Sequence, residues 1–500
     1  MTAPAGPVAA GETRHAVSRW LPRPFAPTLL LLAMAAVLLG ACSSNAAELP
    51  PDVTQPVTIR IAAFAGPETR ALFRIIPEWE HLTGNHVELG IVRQGSARAV
   101  TNDYVEYRQA IVDNARAHSG DYDVIIIDDP WMPFLAGNGY LTALAPFGYE
   151  SGPDVIGRSA VLGVWPPPFG PQPPDARNVA RGAETYAIPL VGNVMLLWYR
   201  EDVISRPDSL DDLIDELAHP DPAFTMAAGL APTSNPHGFL SWLYARGGEF
   251  FDRDWRASPL RTQVATDALA EYLHEVTRLG VPFDVYQSER YSPETRILDG
   301  TATAAVAWAA DAQKLLTSAV SDQIRVTQFP FGRRQTALTG NWLLGLPSDS
   351  RHQAVAYDFI TWATSHDVMK TSALLGVPPV RRSLFEDREL ISTFPWLPAL
   401  ADSLSQAFAR PRVPAWDYLE GVLSCSLDEA LRSAEQVPSG SIAGDYAEIA
   451  RRALSETADR VEATMAEWGY YQPSEYWSAD PARHPPGDPT QEYTCPGGGS

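Results

Sequence analysis

Asp128, Asp129, Pro130 and Trp131 put two carboxylates and an indole in one turn, directly after the apolar run Val124–Ile127. Such a turn is open to acid–base work on a glycosidic bond, to metal ligation, or to hydrogen bonding of sugar hydroxyls beside an aromatic plate. It is equally open to capping a strand and nothing more. Adjacent residues on a turn usually point apart, which suits a carboxylate pair that must flank a sugar ring poorly. HExxH, GxSxG, GxxxxGK and GxGxxG at a strand-to-helix turn are all absent, and with them the common hydrolase and nucleotide signatures. His81 and His86 are five apart, the wrong spacing for one helix face, and no CxxC or mixed Cys/His spacing suggests zinc.

Two further tryptophans sit in comparable places. Trp308 follows "GTATAAVA" beside Asp311, and Trp342 follows Gly340-Asn341 in "LTGNWLLGLP". A sugar ring has an apolar C–H face and a rim of hydroxyls, so its site needs an aromatic plate with carboxylates or amides alongside. Any one of these tryptophans reads as a core residue at a strand terminus. Three of them beside Asp or Asn point to a binding site.

The elements that must position them follow from periodicity. "VTIRIAAFA" alternates and ends at Gly66-Pro67, as a strand before a turn does. Leu72, Ile75, Ile76 and Trp79 have helical spacing up to Gly84-Asn85, and "HVELGIV" is a second strand. Tyr104–Ala117 is helical again, and "DVIII" is a third strand. Strand, helix, strand, helix, strand is the pattern of an α/β fold with a parallel sheet. Ligands bind such sheets beyond the carboxyl ends of strands, where Asp128–Trp131 falls. "TYAIPLVGNVMLLWYR" is a long strand broken at Gly192-Asn193, "NWLLGLP" is another, and the chain beyond Val380 is mostly helical to Tyr470. Residues 163–182 form a Pro-rich excursion, and no repeat of 20–50 residues is present.

Five hundred residues with 45% apolar content exceed what one core usually serves. Arg14, Arg19 and Arg23 precede the apolar run Leu29–Leu39, too short to span a bilayer, and "LLGACSS" follows. Leu39-Gly40-Ala41-Cys42 fits a bacterial lipobox with Cys42 as the lipid-modified residue; an ordinary secretory signal cut near Ala41 or Ala47 is the alternative. Either implies export. The net charge of −22 speaks against nucleic acid as a partner. Cys425 and Cys495 are then left to form a disulfide or to remain thiols.

Taken in order, "DVIIIDDPWMPFLAGNGYLTAL", "YAIPLVGNVMLLWYREDVI", "GTATAAVAWAAD", "TGNWLLGLPSDSRHQAVAYDFITWAT" and "LGVPPVRRSLFED" resemble the extracellular solute-binding proteins of family 1, the maltose-binding-like receptors of ABC importers. The resemblance covers roughly residues 57–470 and implies a two-lobed, type II periplasmic-binding-protein fold of α/β class. Its hinge of several crossings falls near Val191–Asn193, Thr339–Asn341 and Gly376–Pro379. The expected layout is a signal peptide at 1–41, a tether at 42–56 and lobe one at 57–192 plus 341–375. Lobe two then takes 193–340 plus 376–470, and 471–500 is an irregular tail. Ligand contacts carried over are Phe64, Asp128, Asp129, Trp131, Asn193, Asn235, His237, Trp308, Asp311, Gly340, Asn341, Trp342 and Arg381. Many sugar-binding relatives carry an acid where Asn193 stands. The resemblance further implies no catalysis, cofactor or metal; a monomer; a lipid anchor on the outer face of the cell membrane; and a permease as partner. The expected ligand is a carbohydrate, perhaps a disaccharide, with sn-glycerol 3-phosphate or its diesters as the alternative; an exported hydrolase is the alternative of another class.

Overall fold

A computed structural model describes residues 55–92, 98–167, 183–218, 230–231, 236–278, 292–329, 337–438, 440–471 and 493–495. The expected signal peptide with Cys42, most of the tether, residues 168–182 of the Pro-rich excursion, Asn235 and most of the tail lie outside these residues.

Strand β1 (Thr58–Ala62) is followed by the helix Leu72–Thr83, which buries Leu72, Ile75, Ile76 and Trp79 and stops at Gly84 with φ of 72°. That left-handed conformation is nearly free of cost only for glycine. Strand β2 (His86–Leu89) lies parallel to β1. The helix Tyr104–Ala117 starts at Asp103, whose carboxylate accepts from the Glu106 N–H, satisfying one of the orphan donors of the first turn. Strand β3 (Val124–Asp128) is buried along its whole length, as a parallel strand covered on both faces must be.

A small ribbon of β4 (Val164–Trp165) and β5 (Glu184–Thr185) precedes β6 (Ala187–Val191). The chain then passes through Gly192–Val194 into β7 (Met195–Arg200), and the second sheet adds β8 (Leu230–Ala231), β9 (Ala304–Trp308) and β10 (Ile324–Gln328). It returns through Thr339–Asn341 to β11 (Trp342–Gly345), which lies antiparallel between β3 and β6. The two sheets have the orders β2-β1-β3-β11-β6 and β10-β7-β9-β8, and the α/β, two-lobed architecture read from the sequence is present.

The passages between the sheets are bonded to one another. Gly340 N–H donates to Asn193 O at 3.0 Å, Gly192 N–H to Pro378 O at 3.1 Å, and Thr339 N–H to Phe408 O at 2.9 Å. The last bond brings in a segment, residues 407–413, that the sequence reading does not anticipate at the hinge. Beyond it, the helices Trp416–Ala434 and Ala447–Glu467 pack together and against Gln263–Arg278. Cys425 and Cys495 are joined by a disulfide with Cα atoms 5.5 Å apart.

Candidate functional site

At the end of β3 the two carboxylates are fully engaged. Asp128 Oδ1 accepts from Arg410 Nη2 at 2.7 Å and its Oδ2 from the Tyr104 hydroxyl at 2.7 Å. Asp129 Oδ2 accepts from Asn341 N–H at 2.9 Å and from Thr339 Oγ1 at 3.2 Å, while Oδ1 stands 3.5 Å from Arg410 Nη2. Asp129 is only 2% exposed. Burial pushes its pKa up to about 6, against the pull of Arg410. Burial alone would lower the Arg410 pKa, but Asp128 and Asp129 outweigh it and hold the guanidinium above its ordinary value. Asp128 and Asp129, both expected as ligand contacts, are here partners in one internal ion-pair network.

The indoles of this region pack inward as well. Trp131 and Trp342 are 3% and 5% exposed. Trp131 lies 5.0 Å from the Tyr104 ring and 6.0 Å from both Tyr107 and Trp342. Trp342 stands beside Asp128 across the β3–β11 ladder, and Phe64 stacks on it at 5.4 Å and 5°. An indole recovers most from burial when both of its large faces are covered, and here neighbouring rings cover them. Trp131 and Trp342 support the site from beneath; the ring left half-buried on top is Phe64.

Above that cluster the two sheets meet. The loop after β1 is held by the Thr69 hydroxyl donating to Phe64 O and by Ala65 N–H donating to Thr101 O at 2.8 Å. It carries Glu68, whose Oε1 accepts from Asn193 Nδ2 at 3.4 Å. Asn193 Oδ1 in turn accepts from Ala310 N–H at 3.1 Å, so one amide spans from the first sheet's loop to the end of β9. Arg70 makes a second bridge, with Nε donating to Pro67 O at 2.7 Å and Nη2 to Ala310 O at 3.0 Å. Asp311 follows β9 on the far side. Desolvation, reinforced by Glu294 and Glu68, lifts its pKa to about 7; desolvation, reinforced by Asp128, lifts that of Glu68 to about 7. Carboxylates from the two halves thus face one another with incomplete compensation.

Trp308 is half-buried, and a Cβ at Gly340 would lie only 2.8 Å from its ring, so glycine is what lets the indole lie against the hinge. His237, at the start of the helix His237–Ala245, meets Trp308 edge-on at 5.8 Å and places Nε2 3.2 Å from Glu420 Oε1. Burial would raise the Glu420 pKa, but the His237 bond and the charges of His237 and Arg410 outweigh it and hold it below the usual value.

Of the residues expected from sequence, Phe64, Asn193, His237, Trp308, Asp311 and Gly340 come together at the junction of the sheets. Asn341 is fully buried, with Nδ2 donating to Ser159 Oγ at 2.6 Å. Arg381 stays with the first sheet's side, its Nη1 3.2 Å from Asp154 Oδ2 and its Nε and Nη2 donating to Thr364 O. Four residues at the site went unnoticed: Glu68, Arg70, Arg410 and Glu420. The first two lie within the same loop as Phe64, so the strand-end argument that named Phe64 reaches them. The pair Arg410 and Arg412 in "ARPRVP" was the other available signal. Among the described residues no group of three or more His, Cys, Asp or Glu could hold a metal, and no helix is long and apolar enough to cross a membrane.

Two α/β halves joined by several bonded passages, with aromatic and polar groups gathered at the junction, define a hinged solute-binding architecture. The bacterial extracellular solute-binding protein family matches residues 75–370, more than half the chain, and the chain belongs to that family. A relative named as a probable amino-acid ABC transporter periplasmic-binding protein, y4oP of Sinorhizobium fredii (strain NBRC 101917 / NGR234), is 22% identical over 459 residues, spanning 87% of this chain and 95% of its own length. Among solved structures, maltose-bound MalE3 of T. maritima matches with a TM-score of 0.66 at 19% identity, covering 82% of this chain and 100% of that one. The GacH receptor of Streptomyces glaucescens GLA.O, solved unliganded and with acarbose, matches with a TM-score of 0.65 at 18% identity, over 83% and 99% of the respective chains. These likenesses establish the two-lobed periplasmic-binding-protein fold.

Proposed function

We propose that this protein is the exported substrate-binding component of an ABC importer and captures a carbohydrate or polyol, with a disaccharide-sized sugar preferred, between lobes 57–192 plus 341–375 and 193–340 plus 376–470. One observation carries the reading: half-buried Phe64 and its loop neighbour Glu68 are tied through Asn193 to the turn after β9, where half-buried Trp308 lies against Gly340 and His237 with Asp311 beside it. Aromatic faces suit the C–H side of a sugar, and acceptors and amides at their edge suit its hydroxyls. A ligand touching both lobes favours the closed arrangement because it binds that arrangement better. No covalent step is required, and Asp128 and Asp129, both held by Arg410, are poorly suited to hydrolysis.

A phosphate-bearing ligand fits less well. Arg381, one candidate cation for a phosphate, is engaged by Asp154 and Thr364 O, and Glu68 and Asp311 would repel a dianion. An amino acid is the second reading. The y4oP relative's name favours it, and the same two carboxylates would suit an ammonium group. The deciding experiment is a thermal-shift and calorimetric screen of mono-, di- and trisaccharides, polyols, glycerol phosphates and amino acids, since ligand bound only to the native state raises Tm. A saturable rise with a sugar or polyol and an unchanged ligand supports the proposal. A rise confined to amino acids, or turnover of a glycoside, overturns it.

The anchor is proposed separately. Lipid on Cys42 would hold the chain at the outer face of the membrane beside its permease, and the expected result is that Cys42→Ala moves the protein from the membrane to the soluble fraction.

A further inference from the structure

A cavity of about 780 Å³ lies along the seam between the two halves, outside the wall made by Phe64, Trp308 and His237. Its size falls within the range of small-molecule sites. Arg70, Arg74 and Leu375 line it from the first sheet's side, Leu316 and Arg325 from the second, and Phe394 from the stretch after the third passage.

The lining has a polarity that the rest of this acidic chain does not predict. Three of its side chains are arginines and one, Asp322, is a carboxylate, in a protein of net charge −22. The Arg74 side chain makes no hydrogen bond or ion pair with any described residue. Arg70 donates to the carbonyls of Pro67 and Ala310; Glu68 and Asp311 act on its charge, but neither is hydrogen-bonded to it. Arg325 is the third, and it is paired with Glu201. Opposite these cations the wall is apolar: Leu316, Leu375, Phe394, and at the rim Leu374, which leaves 39% of its surface exposed.

We propose that this cavity binds a small amphipathic organic monoanion, its carboxylate or sulfonate head against Arg74, with Arg70 alongside, and its apolar body against Leu316, Leu375 and Phe394. A guanidinium such as that of Arg74, with no carboxylate bonded to it among the described residues, is well matched to such a head, and the leucine and phenylalanine surface excludes a fully hydrated ion. Because both halves supply the lining, the occupant touches both, and its binding is linked reciprocally to whatever fills the cleft.

The test uses the intact exported chain, confirmed folded by a cooperative thermal transition, with 8-anilinonaphthalene-1-sulfonate as fluorescent probe and octanoate as competitor. The expected result is saturable binding of one equivalent, displaced by octanoate. Arg74→Glu and Leu374→Asp, both at exposed positions, should each weaken it at least tenfold, and Trp308→Ala should leave it within twofold. Non-saturable binding, equal binding by all the variants, or loss in Trp308→Ala, which would put the probe in the cleft, each overturns the proposal.

Discussion

Arg410 does at the residue scale what no neighbour in sequence could. It is buried, it holds Asp128 and approaches Asp129, and its loss would leave two desolvated carboxylates without their cation. Breaking a buried pair in this way costs roughly 3–5 kcal/mol. Arg410→Ala should therefore lower the unfolding free energy by about that amount in a denaturant titration, and Arg410→Lys should recover only part, since one ammonium cannot reproduce the planar fork. The tryptophans divide by the same logic. Trp131→Ala and Trp342→Ala remove buried rings and should cost about 3–5 kcal/mol of stability. Trp308→Ala should leave the melt nearly unchanged and weaken ligand binding at least tenfold by calorimetry. From sequence alone the three were indistinguishable. An indole at a strand end serves equally as plate or as packing, and only the neighbouring rings of Tyr104 and Tyr107, brought in by a separate helix, decide which.

Between elements, the decisive contact is the approach of the loop after β1 to the turn after β9. It buries Glu68 and Asp311, and desolvation, reinforced by Asp128 at the first and by Glu294 and Glu68 at the second, raises both pKa values to about 7. The unfolded carboxylates titrate near 4, so the folded state binds more protons between roughly 4 and 7. Stability from these groups is then greatest at the acid end of that window and falls as pH rises through it. Tm should decline from pH 5.5 to pH 8, and Glu68→Gln should flatten that slope. The strands themselves are legible from alternation and apolar runs: β1, β6, β7 and β11 fall within expected segments, and β3 and β9 run one residue past theirs, to Asp128 and Trp308. Less visible was the strip 407–413 beside Thr339. A short irregular segment between helices has no periodicity to betray it, and its register comes from partners far away in the chain.

At the scale of the whole molecule, main-chain bonds join the passages near 193, 340, 378 and 408 between the two sheets. Two devices secure the far end. Tyr493 lies over Gly421 with its hydroxyl accepting from Arg460 Nη1 at 3.0 Å, and the disulfide closes a loop with a sequence separation of 70. A loop of that size is worth roughly 4 kcal/mol in the chain-entropy account. Cys425→Ser should accordingly lower the midpoint of denaturation under oxidising conditions and have no effect once the wild type is reduced.

The bond between Arg410 and Asp128 also sets an order of events during synthesis. Its partners are 282 residues apart. A growing chain completes β3 and exposes both carboxylates long before their cation has been translated. Until residues 407–413 arrive, the first sheet lacks the group that neutralises Asp128 and Asp129 at the end of β3. The charge balance at the end of β3 is therefore completed late in synthesis.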